Sequence, residues 1–213
     1  MKKVAVALGV LLLGASINAS AQNYSFNCIT NNSAASCSVG EAQLSLSVTQ
    51  SGSDAVFTFS NTGPAASSIT DVYLDWTAGF GGAPITQGTI TDSGAGVDFS
   101  WGASPPQLPG APNLLAGVNA DSNSPMTQQR GVNPGEWLSL TVGFAGSFAD
   151  LLADINSHDL RVGIHVQGFA NGQSESYTTT TAVPEPETYA MLIAGLGLLG
   201  FEARRRRKLQ RAA

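Results

Sequence analysis

The chain has 213 residues and a formal net charge of -5, and eight of its ten Lys and Arg sit at the ends, at Lys2, Lys3, Arg204, Arg205, Arg206, Arg207, Lys208 and Arg211. Residues 22–187 keep fourteen acids against only Arg130 and Arg161, a net -12, and that much uncompensated negative charge excludes nucleic acid as a partner. With the two ends set aside, the remaining length fits one domain, whose charge keeps it soluble and repels anionic lipid headgroups.

At the N-terminus, Met1-Lys2-Lys3 is a positive segment, residues 4–15 are an apolar run of twelve, and Ala19-Ser20-Ala21 gives the small-x-small pattern that signal peptidase accepts. Residues 1–21 therefore read as a signal peptide cut before Gln22. As a helix, the apolar run spans only about 18 Å against roughly 30 Å of hydrocarbon, so it is too short to stay as an anchor. Cys28 and Cys37 follow, with eight residues between them, no Cys-x-x-Cys and no neighbouring His. In an oxidising compartment that pair reads as a disulfide.

Residues 22–170 alternate short patterned runs with Gly, Pro, Asn, Asp and Ser clusters, which predicts an all-β ectodomain, a jelly-roll-like β-sandwich with one short helix. Leu44, Leu46 and Val48 alternate with polar residues, and residues 51–54 form a Gly-containing turn into a partner strand over 55–60. In residues 69–76, Val72, Leu74 and Trp76 share one face and Asp71, Tyr73 and Asp75 the other, so the aspartates are expected to face water. Val97, Phe99 and Trp101 repeat the pattern. Residues 102–135 hold six of the ten prolines and predict a long surface loop. Leu138, Leu140, Val142 and Phe144 alternate again. Ser147 then caps a helix whose Phe148, Leu151, Leu152 and Ile155 recur at helical spacing. Leu160, Val162, Ile164 and Val166 mark the last strand, and residues 171–182, with their run of threonines, read as a linker.

Catalytic chemistry finds little support. His158 and His165 are too few for a multi-histidine zinc site, and no Gly-x-Ser-x-Gly elbow is present. Asp71 and Asp75, four apart on a strand, stand about 13 Å apart, beyond the spacing of a glycosidase pair. The acids of residues 92–98 lack the spacing of a calcium loop. No cofactor, metal or catalytic residue is assigned. Trp76 and Trp101 belong to apolar faces, whereas Trp137 lies opposite Leu138 and Leu140 and is the candidate for stacking on a sugar.

The C-terminus runs Val183-Pro184-Glu185-Pro186-Glu187, then an apolar stretch over 189–201, then Arg204-Arg205-Arg206-Arg207-Lys208. The prolines hold Glu185 on a stiff, extended peptide. A transmembrane helix over about 189–203 is short for a permanent span, and the basic tail, 204–213, stops transfer on the cytoplasmic side. This order over residues 183–209 resembles the PEP-CTERM sorting signal of Gram-negative bacteria. The resemblance implies a transient inner-membrane anchor, cutting near Pro-Glu-Pro by an exosortase, and delivery to the cell surface or extracellular matrix alongside exopolysaccharide. Residues 165–169 and 174–176 also resemble the last strand and linker of the Gly- and Ser/Thr-rich β ectodomains that carry this tail. The expectation is a structural, non-enzymatic surface protein; the alternative is a carbohydrate-binding module that holds matrix polysaccharide through Trp137 and residues 102–135.

Overall fold

The computed structural model describes residues 21–76, 85–94, 96–110, 114, 117–180 and 196–197. In chain order these form β1 (Gln22–Cys28), α1 (Ala34–Gln43), β2 (Leu44–Ser51), β3 (Asp54–Asn61), β4 (Ser68–Asp75), β5 (Thr86–Asp92), β6 (Phe99–Trp101), β7 (Val118–Ser122), α2 (Thr127–Arg130), β8 (Glu136–Gly143), α3 (Phe148–Ser157), β9 (Arg161–Gln167) and β10 (Glu175–Thr179). Among the described residues, no helix is long and apolar enough to cross a membrane. The span predicted over 189–203 lies outside them, apart from residues 196–197.

All ten strands join one antiparallel sheet in the order β5-β8-β3-β2-β1-β10-β9-β4-β7-β6. It turns a corner at β1, where residues 22–25 pair with β2 and residues 26–28 with β10. A strand that changes partner midway is how a sheet folds over its own core. The far edges then meet, with Trp101 Nε1 on β6 donating to Gly88 O on β5 at 3.3 Å. The fold is all-β as expected, but a single sheet curled nearly into a barrel takes the place of two separate sheets.

The alternating runs set this register. Leu46 and Val48 pair with Phe59 and Phe57, which pair in turn with Leu138 and Leu140 on β8, all buried. Fully burying one such side chain contributes about 1.5–3 kcal/mol. The β2–β3 hairpin closes on Ser51 and Asp54, leaving Gly52 at a φ of 62° where a left-handed residue is needed. Helix α3 begins as the sequence indicates. Asp150 N donates to Ser147 Oγ and Ser147 N to Asp150 Oδ2, both at 3.2 Å, while Leu151 and Ile155 face the core. The expected disulfide joins Cys28 to Cys37 with Cα atoms 5.3 Å apart, fixing α1 to the end of β1. Closing so short a loop removes about 2–3 kcal/mol of unfolded-chain freedom.

Four expectations need correction. Among the described residues the β domain has three helices, not one, because α1 and α2 escaped the periodicity. Residues 102–135 are not simply a surface loop: β7 pairs with both β4 and β6, and Leu108, Leu114, Val118, Ala120 and Val132 are buried. Residues 171–182 are not simply a linker, since β10 sits in mid-sheet between β1 and β9. Asp71 and Asp75 do not face water; all eight residues of β4 are buried. The cause is the segment after β6, whose Leu108 and Leu114 cover Tyr73 on the face away from the core. Gly163 makes room for it, because a Cβ there would lie 2.6 Å from Leu108 Cδ2.

Candidate functional site

The fold ends close to the sorting peptide. β10 is hydrogen-bonded on both sides, and Thr180 N donates to Ser25 O at 2.9 Å, so the backbone is tied into the sheet as far as Thr180. Pro184 is four residues further on, at most about 14 Å along an extended chain. Beside this exit lies a groove of about 290 Å³ lined by Asn27, His158, Arg161, Val162, Thr178, Thr179 and Thr180. Arg161 lines it while pairing with the fully buried Asp75, whose charge would otherwise be stranded in the protein interior.

Glu175, at the start of β10 and fully buried, organises the opposite end of that strand. Its carboxylate accepts from Thr30 Oγ1 at 2.6 Å, Asn32 N at 3.0 Å and Ser33 N at 2.6 Å. Ser33 is the N-cap of α1, so one side chain holds the whole approach to the helix. Tyr177 Oη then donates to Ser36 O at 2.8 Å, tying the helix itself to β10. The ligand atoms of Cys28, Cys37 and Glu175 all lie within 4.8 Å of one another. The disulfide consumes both thiolates, so the cluster is a structural joint and not a set of metal donors.

A polar row crosses the outer face of β7, β4, β9 and β10. Asp71 lies opposite Asp121 on one side and His165 on the other, and His165 lies opposite Ser176. Thr70 Oγ1 donates to Asp71 Oδ2 at 2.8 Å, Tyr73 Oη donates to Pro105 O at 3.1 Å, and His165 Nδ1 is 3.2 Å from Ser176 Oγ. The order Ser176-His165-Asp71 looks like a nucleophile row. Ser176 is fully buried, however, so nothing can reach its Oγ in this fold.

Burial pushes the Asp71 carboxyl up to about 7; the Thr70 hydroxyl opposes the shift and the Asp121 charge adds to it. Burial also raises Asp121, against bonds from Asp71 and from the Ser104 and Ser122 backbone. His165 is lowered by burial, with the Glu175 charge opposing. A carboxyl raised on folding contributes stability that is complete below its ordinary value near 3.9 and is lost as pH climbs to about 7. His165 acts in the other direction, losing its contribution as pH falls below about 6.5. Urea unfolding of the oxidised domain should therefore show a decline between pH 4 and 7 that Asp71→Asn removes, on the order of 3 kcal/mol. Equal pH slopes for the two proteins would contradict the assignment.

Of the residues singled out by sequence that the structure describes, it joins Cys28 with Cys37. Trp137 is 38 % exposed on β8, opposite Ser60, and belongs to the strand and not to the 102–135 segment. Asp92 and Asp98 are engaged separately, the first accepting from Gly94 N and the second from Asn123 Nδ2. Ala21 and Gln22 are described, with Gln22 opening β1. Ala19, Pro184, Glu185, Pro186, Arg204–Arg207 and Lys208 lie outside the described residues. Sequence reasoning missed Glu175, Asp121 and the tail-exit groove. A lone Glu in a Ser/Thr-rich stretch was the one available signal for Glu175, and no local pattern links Asp71 to a partner fifty residues away.

A family model described as the PEP-CTERM protein-sorting motif matches residues 182–207. The match includes Pro184, Glu185 and Pro186, the apolar stretch and the four arginines. Neither a curated protein nor a solved structure matches the chain.

Proposed function

We propose, for a chain that carries a PEP-CTERM sorting motif at residues 182–207, the life of an exported surface protein whose tail an exosortase reads and removes. Signal peptidase removes residues 1–21, the helix over about 189–203 holds the precursor in the inner membrane, and the arginines keep the last residues in the cytoplasm. The β domain serves as a structural element of the surface or of an exopolysaccharide-rich matrix, without a catalytic step of its own. The observation that carries this reading is the motif match, which begins two residues beyond Thr180, a residue bonded into the sheet.

The test replaces Pro184, Glu185 and Pro186 together with Ala in a host that has the exosortase. The surface form should vanish and a tail-bearing precursor should accumulate in the membrane fraction. Normal tail removal from the triple variant would reject the assignment.

A second reading is favoured by Trp137, exposed on a strand face opposite Ser60 and beside exposed Ser93, whose Oγ accepts from Trp137 N at 3.3 Å. An aromatic ring among hydroxyls suits a neutral polysaccharide, the ring stacking on the sugar face. Glycan binding that survives Trp137→Ala would remove this reading.

A further inference from the structure

Thr180, the last residue described before the sorting motif, is bonded into the sheet and is a wall of the groove at the tail's exit. Pro184 stays within about 14 Å of it however the chain between them runs. A single helix with its side chains is about 10–12 Å across. A protein that grips residues 184–186 in a cleft therefore brings its own atoms up to the end of the domain. The shortness of the connection keeps that protein close to the end of the domain, so the surface there bears on whether it is welcomed or obstructed.

The chemistry of the groove favours acceptance. Arg161 is one of only two Arg or Lys residues between residues 22 and 187, and it lines this groove together with His158. Among the described residues the lining contains no carboxylate, and Asp75 beneath it is already paired with Arg161. Asn27 is exposed, the hydroxyl of Thr178 can donate or accept, and Thr180 Oγ1 donates to Ser25 O at 3.3 Å while its lone pairs can accept. Most of the domain's exposed acids lie away from the lining, Asp150 on α3 among them; the exception beside it is Asp159, next to His158, whose carboxylate accepts from Ser157 Oγ at 2.8 Å.

We infer that the enzyme that reads the sorting motif docks on this groove, against Asn27, His158, Arg161, Thr178 and Thr180, and that it recognises the tail together with the end of the fold and not as a free peptide. This rests on the reading of residues 182–207 as an exosortase signal. The groove belongs to the passenger domain, so the contact links the efficiency of sorting to correct folding: β10 must be seated between β1 and β9 for the groove to exist.

The experiment follows tail removal by pulse-chase on the full-length precursor in membranes that contain the exosortase. One variant carries a flexible Gly/Ser insertion of about twelve residues between Thr181 and Ala182, which frees the motif from the domain without touching the sheet. A second carries Asn27→Arg at the groove, and Gln129→Arg on the exposed side of α2 serves as the control. The insertion and Asn27→Arg should each slow tail removal by about tenfold, a barrier change of about 1.4 kcal/mol, with Gln129→Arg at the normal rate. Removal from both groove-directed variants at the normal rate or faster would overturn the docking while leaving the sorting assignment intact. A wild-type precursor that keeps its tail would overturn both.

Discussion

Gly40→Ala is expected to destabilise the domain by about 3 kcal/mol, because an added Cβ has nowhere to go. It would stand 2.3 Å from both Cζ and Oη of Tyr177. The ring cannot swing aside: Tyr177 is fully buried, and its hydroxyl is bonded to Ser36 O one turn earlier on α1. The helix must lift, although Ser33 and Cys37 hold its first turns to β10 and β1 through Glu175 and the disulfide. Thermal unfolding of the oxidised protein should shift down by roughly 10 °C. Combining Gly40→Ala with Tyr177→Leu should cost less than the two single changes added together, by more than about 1 kcal/mol, since the second change removes the obstacle. Strict additivity would mean that the helix does not sit where described.

Glu175→Gln should be nearly as damaging, although it preserves size and shape. Both carboxylate oxygens accept, Oε1 from Ser33 N and Oε2 from Thr30 Oγ1 and Asn32 N. A glutamine offers one acceptor and one NH2, so in either orientation a donor faces a donor in a site with no solvent exposure. Leaving such groups unsatisfied costs about 2–3 kcal/mol. Urea denaturation should show that loss, and hydrogen exchange should show the amides of Asn32 and Ser33 unprotected before the sheet opens. A loss below about 0.5 kcal/mol would mean that the joint between β10 and the approach to α1 carries little of the fold's stability.

These two residues also explain what the sequence disclosed and what it hid. Strands β2, β3, β8 and β9 were legible because each buries one face with Leu, Val, Ile or Phe and leaves the other polar, and α3 because Ser147 and its apolar spacing coincide. Helix α1 buries Ser36, Cys37, Gly40 and Gln43, a correct helical stripe made of small and polar residues that no hydrophobic pattern reveals. β10 is written in Glu, Ser, Tyr and Thr, the composition of a linker, and becomes a strand because partners on both sides satisfy its backbone. β4 misled in the opposite sense. Its Asp-Tyr-Asp face looked solvated, but the cover supplied by Leu108 and Leu114 comes from a proline-rich stretch with no period. The sorting peptide, by contrast, was legible because the motif is an ordered string of residue types that can be read without any tertiary contact.

The Asp71–Asp121 pair shows how far an incorrect solvent assignment carries. Read as exposed, the Asp71 carboxyl would titrate normally and say nothing about stability, and the sequence offered no reading of Asp121. Seated under the segment after β6, they make the domain's stability fall as pH rises toward 7, contrary to the usual behaviour of carboxylates stabilised by cations.

The account depends on the tail being a signal that is used and discarded after export. Intact-mass measurement of the protein recovered from the surface of cells that possess an exosortase tests this most directly. The predicted species begins at Gln22, retains one disulfide, and lacks the apolar stretch and the arginines that follow it. A full-length mass with both termini present, found in the cytosol, would contradict it.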